Sequence, residues 1–335
     1  MISAAIVGLG RWGRTLVHSV QEGGRPKGDR IAIKRGVVRN LDKAADYGKA
    51  QAIELTTDYD DVLADRGIDA VILATPHSLH VSQVARAAAA GKHVFVEKPL
   101  ALNATDAAAI AQTCAKARIV LAVGQNRRFL PLVIDLKRMI EASELGTILH
   151  AEGNFSMEHG LIYPPDDWRA NDLESPGGAL TASGIHIIDS FIYLLGTVTQ
   201  SRALSRRRVL DLPLDDTTVC LVEFESGATG YLGAMQATAR FFSVHIFGTK
   251  GWAHMLSNEE LEICLTGETP QTHTYPATDI ERAELEAFAE TIENATPYPV
   301  PVDQVVHGIA VQDAIVASCA QDGAPIAVRE AETAF

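Results

Sequence analysis

The sequence predicts an α/β protein: a doubly wound parallel sheet over residues 1–124, then a second domain over 125–335 on an open antiparallel or mixed sheet. Three observations carry this. In the first 124 residues short apolar runs alternate with alanine-rich helical stretches, the pattern of parallel strands buried on both faces. A glycine-rich turn, Gly8-Leu9-Gly10-Arg11-Trp12-Gly13, lies between the first run and the first helix. After about residue 125 the runs alternate or carry β-branched residues. A length of 335 residues suits two domains of about 150 residues each.

In chain order, strands are expected at 4–7, 33–38, 70–74, 93–96 and 120–123, each a short apolar run bounded by turn or charged residues. Helices are expected at 15–22, 41–47, 80–90 and 104–117, where Ala, Arg and Gln dominate. Asn103 or Thr105 is placed to cap the last of these. Residues 21–28 read as a loop insertion before the second strand. In the second half, strands are expected at 148–155, 197–205, 218–224, 229–236 and 242–247, with Ser226-Gly227 as a hairpin signal. Two helices, 279–295 and 303–320, flank the extended linker Tyr298-Pro299-Val300-Pro301.

Charge excludes some classes of function. Lys and Arg number 29 against 42 Asp and Glu, a formal net charge of −13. Such a chain repels phosphate backbones and anionic lipid surfaces, so neither nucleic acid nor membrane is an expected partner. No apolar run is long enough to span a bilayer. Residues 1–10 lack a basic leader and a cleavage site, so a cytoplasmic location is expected. The four cysteines, at 114, 220, 264 and 319, form no C-x-x-C pair and read as buried free thiols; no metal site is expected.

The glycine turn gives the first chemical signal. Gly8 permits the tight turn, Gly10 lets backbone approach a pyrophosphate, and Gly13 allows close helix–strand packing. Leu9, Arg11 and Trp12 complete this cofactor-binding loop. An acid at the end of the second strand would hold a ribose 2′-hydroxyl, but Arg39-Asn40 stands there. Arg39, assisted by Asn40, suits a 2′-phosphate, which favours NADP(H) over NAD(H). Ala74, Thr75 and Pro76 follow the next strand, at the carboxyl end where ligands bind, and continue through His77 to His80. Those two histidines read equally well as cleft groups or as packing for the next helix. Glu97-Lys98-Pro99 follows the fourth strand, which places the Lys98 ammonium near a nicotinamide, where it can stabilise alkoxide character, with Glu97 holding it. In the segment 177–189, His186 and Asp189 share a helix face, and His is the usual proton shuttle near neutral pH.

Together these signals resemble the glucose–fructose oxidoreductase/inositol dehydrogenase (Gfo/Idh/MocA) family. The hallmark A-G-K-H-V-x-x-E-K-P stands here as Ala90-Gly91-Lys92-His93-Val94-Phe95-Val96-Glu97-Lys98-Pro99. Gly124-Gln125-Asn126-Arg127-Arg128-Phe129-Leu130-Pro131 is similar to the family's domain-crossing segment, and Ile246-Phe247-Gly248-Thr249-Lys250-Gly251 to its sheet motif. The C-terminal Glu284-Leu285-Glu286-Ala287-Phe288 and Tyr298-Pro299-Val300-Pro301 fit as well. The resemblance implies a Rossmann domain, then an α/β domain with a large open, mostly antiparallel sheet that forms a homodimer or homotetramer. It implies NAD(P)-dependent hydride transfer with a sugar, inositol or related polyol, Lys98 and His186 being catalytic. Trp168-Arg169 resembles the family's substrate-side loop, and Asn126 is assigned to the cofactor side of the domain crossing. One departure stands out. The family often carries Asp four residues before the catalytic His, and here that residue is Ala182, which leaves Asp189 or a water to orient His186. The alternatives are a dinucleotide-binding sensor or regulator without catalysis, and a redox-neutral NAD-dependent glycosidase-like enzyme.

Overall fold

The structure is a computed structural model that describes residues 1–329. β1 (Ile2–Val7) is apolar and almost wholly covered, and leads through the glycine turn into α1 (Arg11–Val20). The expected helix stops two residues early. Gln21–Glu22 (β2) and Arg25–Pro26 (β3) pair as a small hairpin closed by Gly23 and Gly24, both at positive φ. The expected insertion is thus a hairpin. Then follow β4 (Ile31–Val37), α2 (Leu41–Gln51), β5 (Glu54–Thr56), α3 (Tyr59–Ala64), β6 (Ala70–Leu73), α4 (His80–Ala89), β7 (His93–Val96), α5 (Ala104–Ala117) and β8 (Leu121–Val123). Asn103, not Thr105, caps α5 by accepting from Asp106 N at 2.9 Å. β5 and α3 are too short and polar to have been read from the sequence.

These strands form a parallel sheet in the order β5-β4-β1-β6-β7-β8. The order reverses between β1 and β6, so a crevice opens at their carboxyl ends.

From Gly124 the chain crosses through a 3-10 turn over Asn126–Phe129. α6 (Pro131–Glu141), β9 (Ile148–Ser156), α7 (His159–Ile162) and α8 (Ile185–Leu195) follow, then β10 (Val198–Arg206), β11 (Thr217–Phe224), β12 (Thr229–Met235), β13 (Phe241–Gly248), β14 (Gly251–Met255), β15 (Glu260–Leu265) and β16 (Gln271–Thr274). α9 (Ile280–Asn294), α10 (Val302–Cys319) and β17 (Ile326–Ala327) end the described chain. The second sheet runs β16-β15-β14-β13-β9-β12-β11-β10-β17 and is antiparallel except for the β9–β12 pair. α8 covers one face so closely that a Cβ on Gly153 of β9 would lie 2.3 Å from Ile187. The other face carries exposed Leu204, Leu221 and Tyr231 at outward positions.

The C-terminal helices return to the first sheet. α9 packs on α1, and its Phe288 meets Phe95 of β7 at 5.9 Å, both fully buried. Each such ring contributes about 1.5–3 kcal/mol by leaving water. α10 lies between α5 and α8. Cys114 and Cys220 are buried free thiols, whereas Cys264 and Cys319 are half-buried, because they lie nearer the edges of their elements.

Candidate active site

The glycine turn has the form of an anion cradle. Gly8 sits at φ +96°, where a Cβ would approach Ala74 O to 2.6 Å. A Cβ on Gly13 would meet Gly8 O at 1.9 Å. A Cβ on Gly10 would meet nothing within 4 Å, so this glycine faces open space at the start of α1. No side chain caps that helix, which leaves its first N–H groups to the open side. These features fit a dinucleotide pyrophosphate. Leu9 is buried in the core, so only its backbone is available there.

The end of β4 is tied to this turn by Gly8 N donating to Val37 O at 3.0 Å, which brings Arg39 beside it, exposed. Asn40 was expected to assist Arg39. Its side chain instead caps α2, accepting from Lys43 N at 3.0 Å.

Beyond the turn lies a cleft of about 340 Å³ between the two sheets. Arg11, Trp12, Ala74, Thr75, Glu97, Lys98, Asn126, Trp168, Arg169 and His186 all line it, as does His77. Pro76 precedes a 3-10 turn over His77–Leu79 and is not among the lining residues. His80 departs from its expected place. It is wholly buried, with Nδ1 against Pro99 O and Leu100 O at 3.1 and 3.3 Å, so it packs α4 onto the connection after β7. His77 Nδ1 bonds Glu174 O at 2.7 Å and its ring meets Trp168 edge-on at 4.8 Å. Ser78 also bonds the Glu174 carboxylate. These contacts clamp the loop of the second domain over the rim of the first. Arg169 stacks on Trp168 at 4.2 Å and is 3.4 Å from Asp167.

Glu97 is buried at the cleft and Lys98, next to it, is half-buried. Burial lowers the Lys98 pKa, with Arg169 and Arg127 adding to the fall and Glu97 opposing it. Burial raises the pKa of Glu97. Lys98 Nζ donates to Ala182 O at 2.9 Å. Ala182 lies in a π-helical turn over Leu180–Gly184 that leads into α8. The position that often holds an acid in the family therefore receives the ammonium through its backbone carbonyl.

His186 is buried on the cleft wall, its ring 5.5 Å from Phe155, and its Nδ1 has no partner. Burial holds its pKa well below the usual value, with Lys98 and Arg127 adding to the effect, so the ring is neutral at pH 7. Asp189 does not orient it. Arg128 takes both Asp189 oxygens, with Nη2–Oδ1 at 2.7 Å and Nε 3.0 Å from each oxygen, and also bonds Gln304. Asp189 is one helical turn on from His186, and the guanidinium from the domain-crossing turn captures it first. It is not among the residues lining the cleft.

Asn126 donates through Nδ2 to Glu281 at 3.0 Å. Sequence reasoning missed Arg127, Phe155, Glu158, His159, Tyr163, Gln236, Arg240 and Glu281, all on the cleft wall. Arg127 had a signal, since it follows Asn126 within the domain-crossing segment. Arg240 and Glu281 had none, because only the fold brings them there. Among the described residues no group of His, Cys, Asp and Glu could hold a metal, and no helix is long and apolar enough to cross a membrane.

Residues 2–125 match the profile of the oxidoreductase family with an NAD-binding Rossmann fold, and residues 133–254 that of the GFO/IDH/MocA C-terminal domain. The chain is 29% identical over 329 residues to scyllo-inositol 2-dehydrogenase (NAD(+)) of Bacillus subtilis, covering 91% of each chain. It is 30% identical over 276 residues to D-xylose 1-dehydrogenase (NADP(+)) 2 of Haloferax volcanii, covering 80% of this chain and 83% of that one. The solved structure of aldose-aldose oxidoreductase from Caulobacter crescentus, complexed with glycerol, superposes with a TM-score of 0.87 at 24% identity over 97% and 99% of the chains. The cradle at Gly10, the two sheets and these matches agree, and the chain belongs to the GFO/IDH/MocA family as an NAD(P)-dependent oxidoreductase.

Proposed function

We propose that the protein transfers hydride between a nicotinamide and a secondary alcohol, or the matching ketone, of a sugar, inositol or related polyol. When bound, the oxidised nicotinamide supplies the acceptor for the hydride that leaves carbon. Lys98 holds the substrate oxygen and stabilises negative charge on it as that hydride departs. His186, neutral and lining the cleft, takes the hydroxyl proton, and returns it in the reverse direction. Ala182 O fixes one Lys98 proton and leaves the others for substrate.

The observation that carries this reading is that Lys98 and His186 line one cleft together with Arg11 and Trp12 of the glycine turn. Arg39, exposed at the end of β4 with no acid beside it, supports NADP(H) over NAD(H). Similar proteins are named for each cofactor. The uncovered face of the nine-stranded sheet, with Leu204, Leu221 and Tyr231, supports self-association into a dimer or tetramer. Four free thiols suit a reducing compartment such as the cytoplasm.

Tryptophan fluorescence and calorimetry with NAD(H) and NADP(H), followed by a sugar and inositol panel, test the reading. Tight nucleotide binding and oxidation of a panel member are expected. No binding of either nucleotide overturns it.

A further inference from the structure

Arg127 and Arg128 are adjacent, and both are more than nine-tenths buried. Arg128 is satisfied by Asp189 and Gln304. Arg127 has no ion pair with a carboxylate among the described residues. Its guanidinium lies on the rings of Phe155 and Phe242 at 5.4 and 4.9 Å, Nη1 donates to Asn258 at 2.8 Å, and Nε is buried without a partner. Burying an unpaired cation is expensive unless something else supplies the opposite charge.

Its surroundings supply it only in part: burial and Arg240 lower the Arg127 pKa, and Glu281 alone opposes the fall. Arg240 and Arg169, like Lys98, line the same cleft and add positive charge. Of the cleft's acids, Glu97 is pushed toward its neutral form by burial, and the Glu281 carboxylate, which accepts from Asn126, only partly offsets Arg127. Glu158 is the remaining one. In a chain of net charge −13, this concentration of cations in one cleft is a local inversion. The glycine cradle, not Arg127, faces the place for the cofactor phosphates. Arg127 stands instead with Phe155, which also carries His186, and so belongs to the substrate side.

We infer that the substrate is an anionic polyol, a sugar acid or its keto form, whose carboxylate is bound by Arg127 with support from Arg240. This rests on the hydride-transfer reading and narrows it. A planar guanidinium fixed on two aromatic faces presents its free N–H edge in a set direction, which suits a carboxylate. The carboxylate then anchors the sugar while the hydroxyl to be oxidised lies at Lys98 and His186.

The test uses the full-length protein saturated with NADH or NADPH. Matched pairs are titrated by nucleotide fluorescence and calorimetry: D-glucuronate with D-glucose, D-galacturonate with D-galactose, D-gluconate with D-glucitol. The acid should bind at least about tenfold tighter in one pair or more, and the advantage should shrink as KCl rises. Arg127→Gln should abolish the advantage. Arg240→Gln, at an exposed position that does not threaten folding, should reduce it about threefold. Equal or tighter binding of the neutral member in every pair, or no binding of any member, overturns the inference. If nucleotide binds and a neutral sugar is oxidised as fast as its acid, the hydride-transfer reading stands and the anionic substrate falls. If no nucleotide binds, it is the hydride-transfer reading that falls.

Discussion

The floor of the cleft and the polar knot behind it are built from the same kinds of side chain, a few residues apart in sequence. In the knot, Arg128 bonds both Asp189 oxygens and Gln304 Oε1, and none of the three side chains keeps a buried polar atom without a partner. On the floor, His186 Nδ1 and Arg127 Nε are buried and unpartnered, and Lys98 has a single backbone acceptor. Native proteins satisfy most buried polar groups, so the exceptions need a reason. The knot holds α8 to the domain-crossing turn. The floor keeps bonding capacity in reserve for a ligand. Arg128 and Asp189 are buried at least as deeply as Arg127 and His186, and what differs between the two pairs is whether their polar groups have partners.

The comparison can be broken by substitution. Asp189→Ala should produce the largest change in stability, about 3–5 kcal/mol, because Arg128 is left buried without its partner. Urea unfolding measures it, and a loss under about 1 kcal/mol would mean that the knot is not a structural element. Lys98→Met should lower turnover about 10²–10³-fold while leaving the thermal midpoint nearly unchanged, since the half-buried ammonium has one backbone acceptor and no ion pair among the described residues. Steady-state rates and a melting scan on one preparation decide this. Normal turnover would remove Lys98 from the mechanism.

The pH profile sharpens the contrast further. Alcohol oxidation needs His186 neutral and Lys98 charged. Burial lowers both pKa values, so the acid limb should fall below the ordinary His value of about 6.5 and the alkaline limb below the ordinary Lys value of about 10.4. Activity is lost as pH drops through the first and as it climbs through the second. His186→Ala should remove the acid limb, whereas Asp189→Asn should not shift it. An acid limb retained in the His186 variant would reassign the proton transfer. The smallest effect concerns the cofactor. Arg39→Ala should weaken NADP(H) about tenfold and leave NAD(H) nearly unaffected, as read by fluorescence titration. Equal loss for both would remove the 2′-phosphate assignment.

The first sheet was nearly fully legible in the sequence. Its inner strands β1, β6, β7 and β8 are buried on both faces and read as short apolar runs, and β7 and α5 fall where the runs predict, whereas the edge strand β5 is polar and was not read. The second sheet was legible only in part. β14, β15 and β16 pass unnoticed because one face is open and the pattern mixes His, Glu and Thr with apolar residues. In the site, the glycine turn and Lys98 stand out because their chemistry is local to one turn of chain. His80 and Asp189 could not be placed from sequence, since a helix face does not reveal which neighbour reaches it first.

By itself, then, the sequence determined the local chemistry: a glycine turn ahead of a helix, Lys98 at a strand end, His186 on an apolar helix. The tertiary structure alone decided which buried groups are satisfied. It gave Asp189 to Arg128, His80 to Pro99 and Leu100, and the Lys98 ammonium to Ala182 O, and it left Arg127 without an anion. The physical reason is that hydrogen-bond partners distant along the chain are fixed by packing, which a periodic pattern of side chains cannot encode.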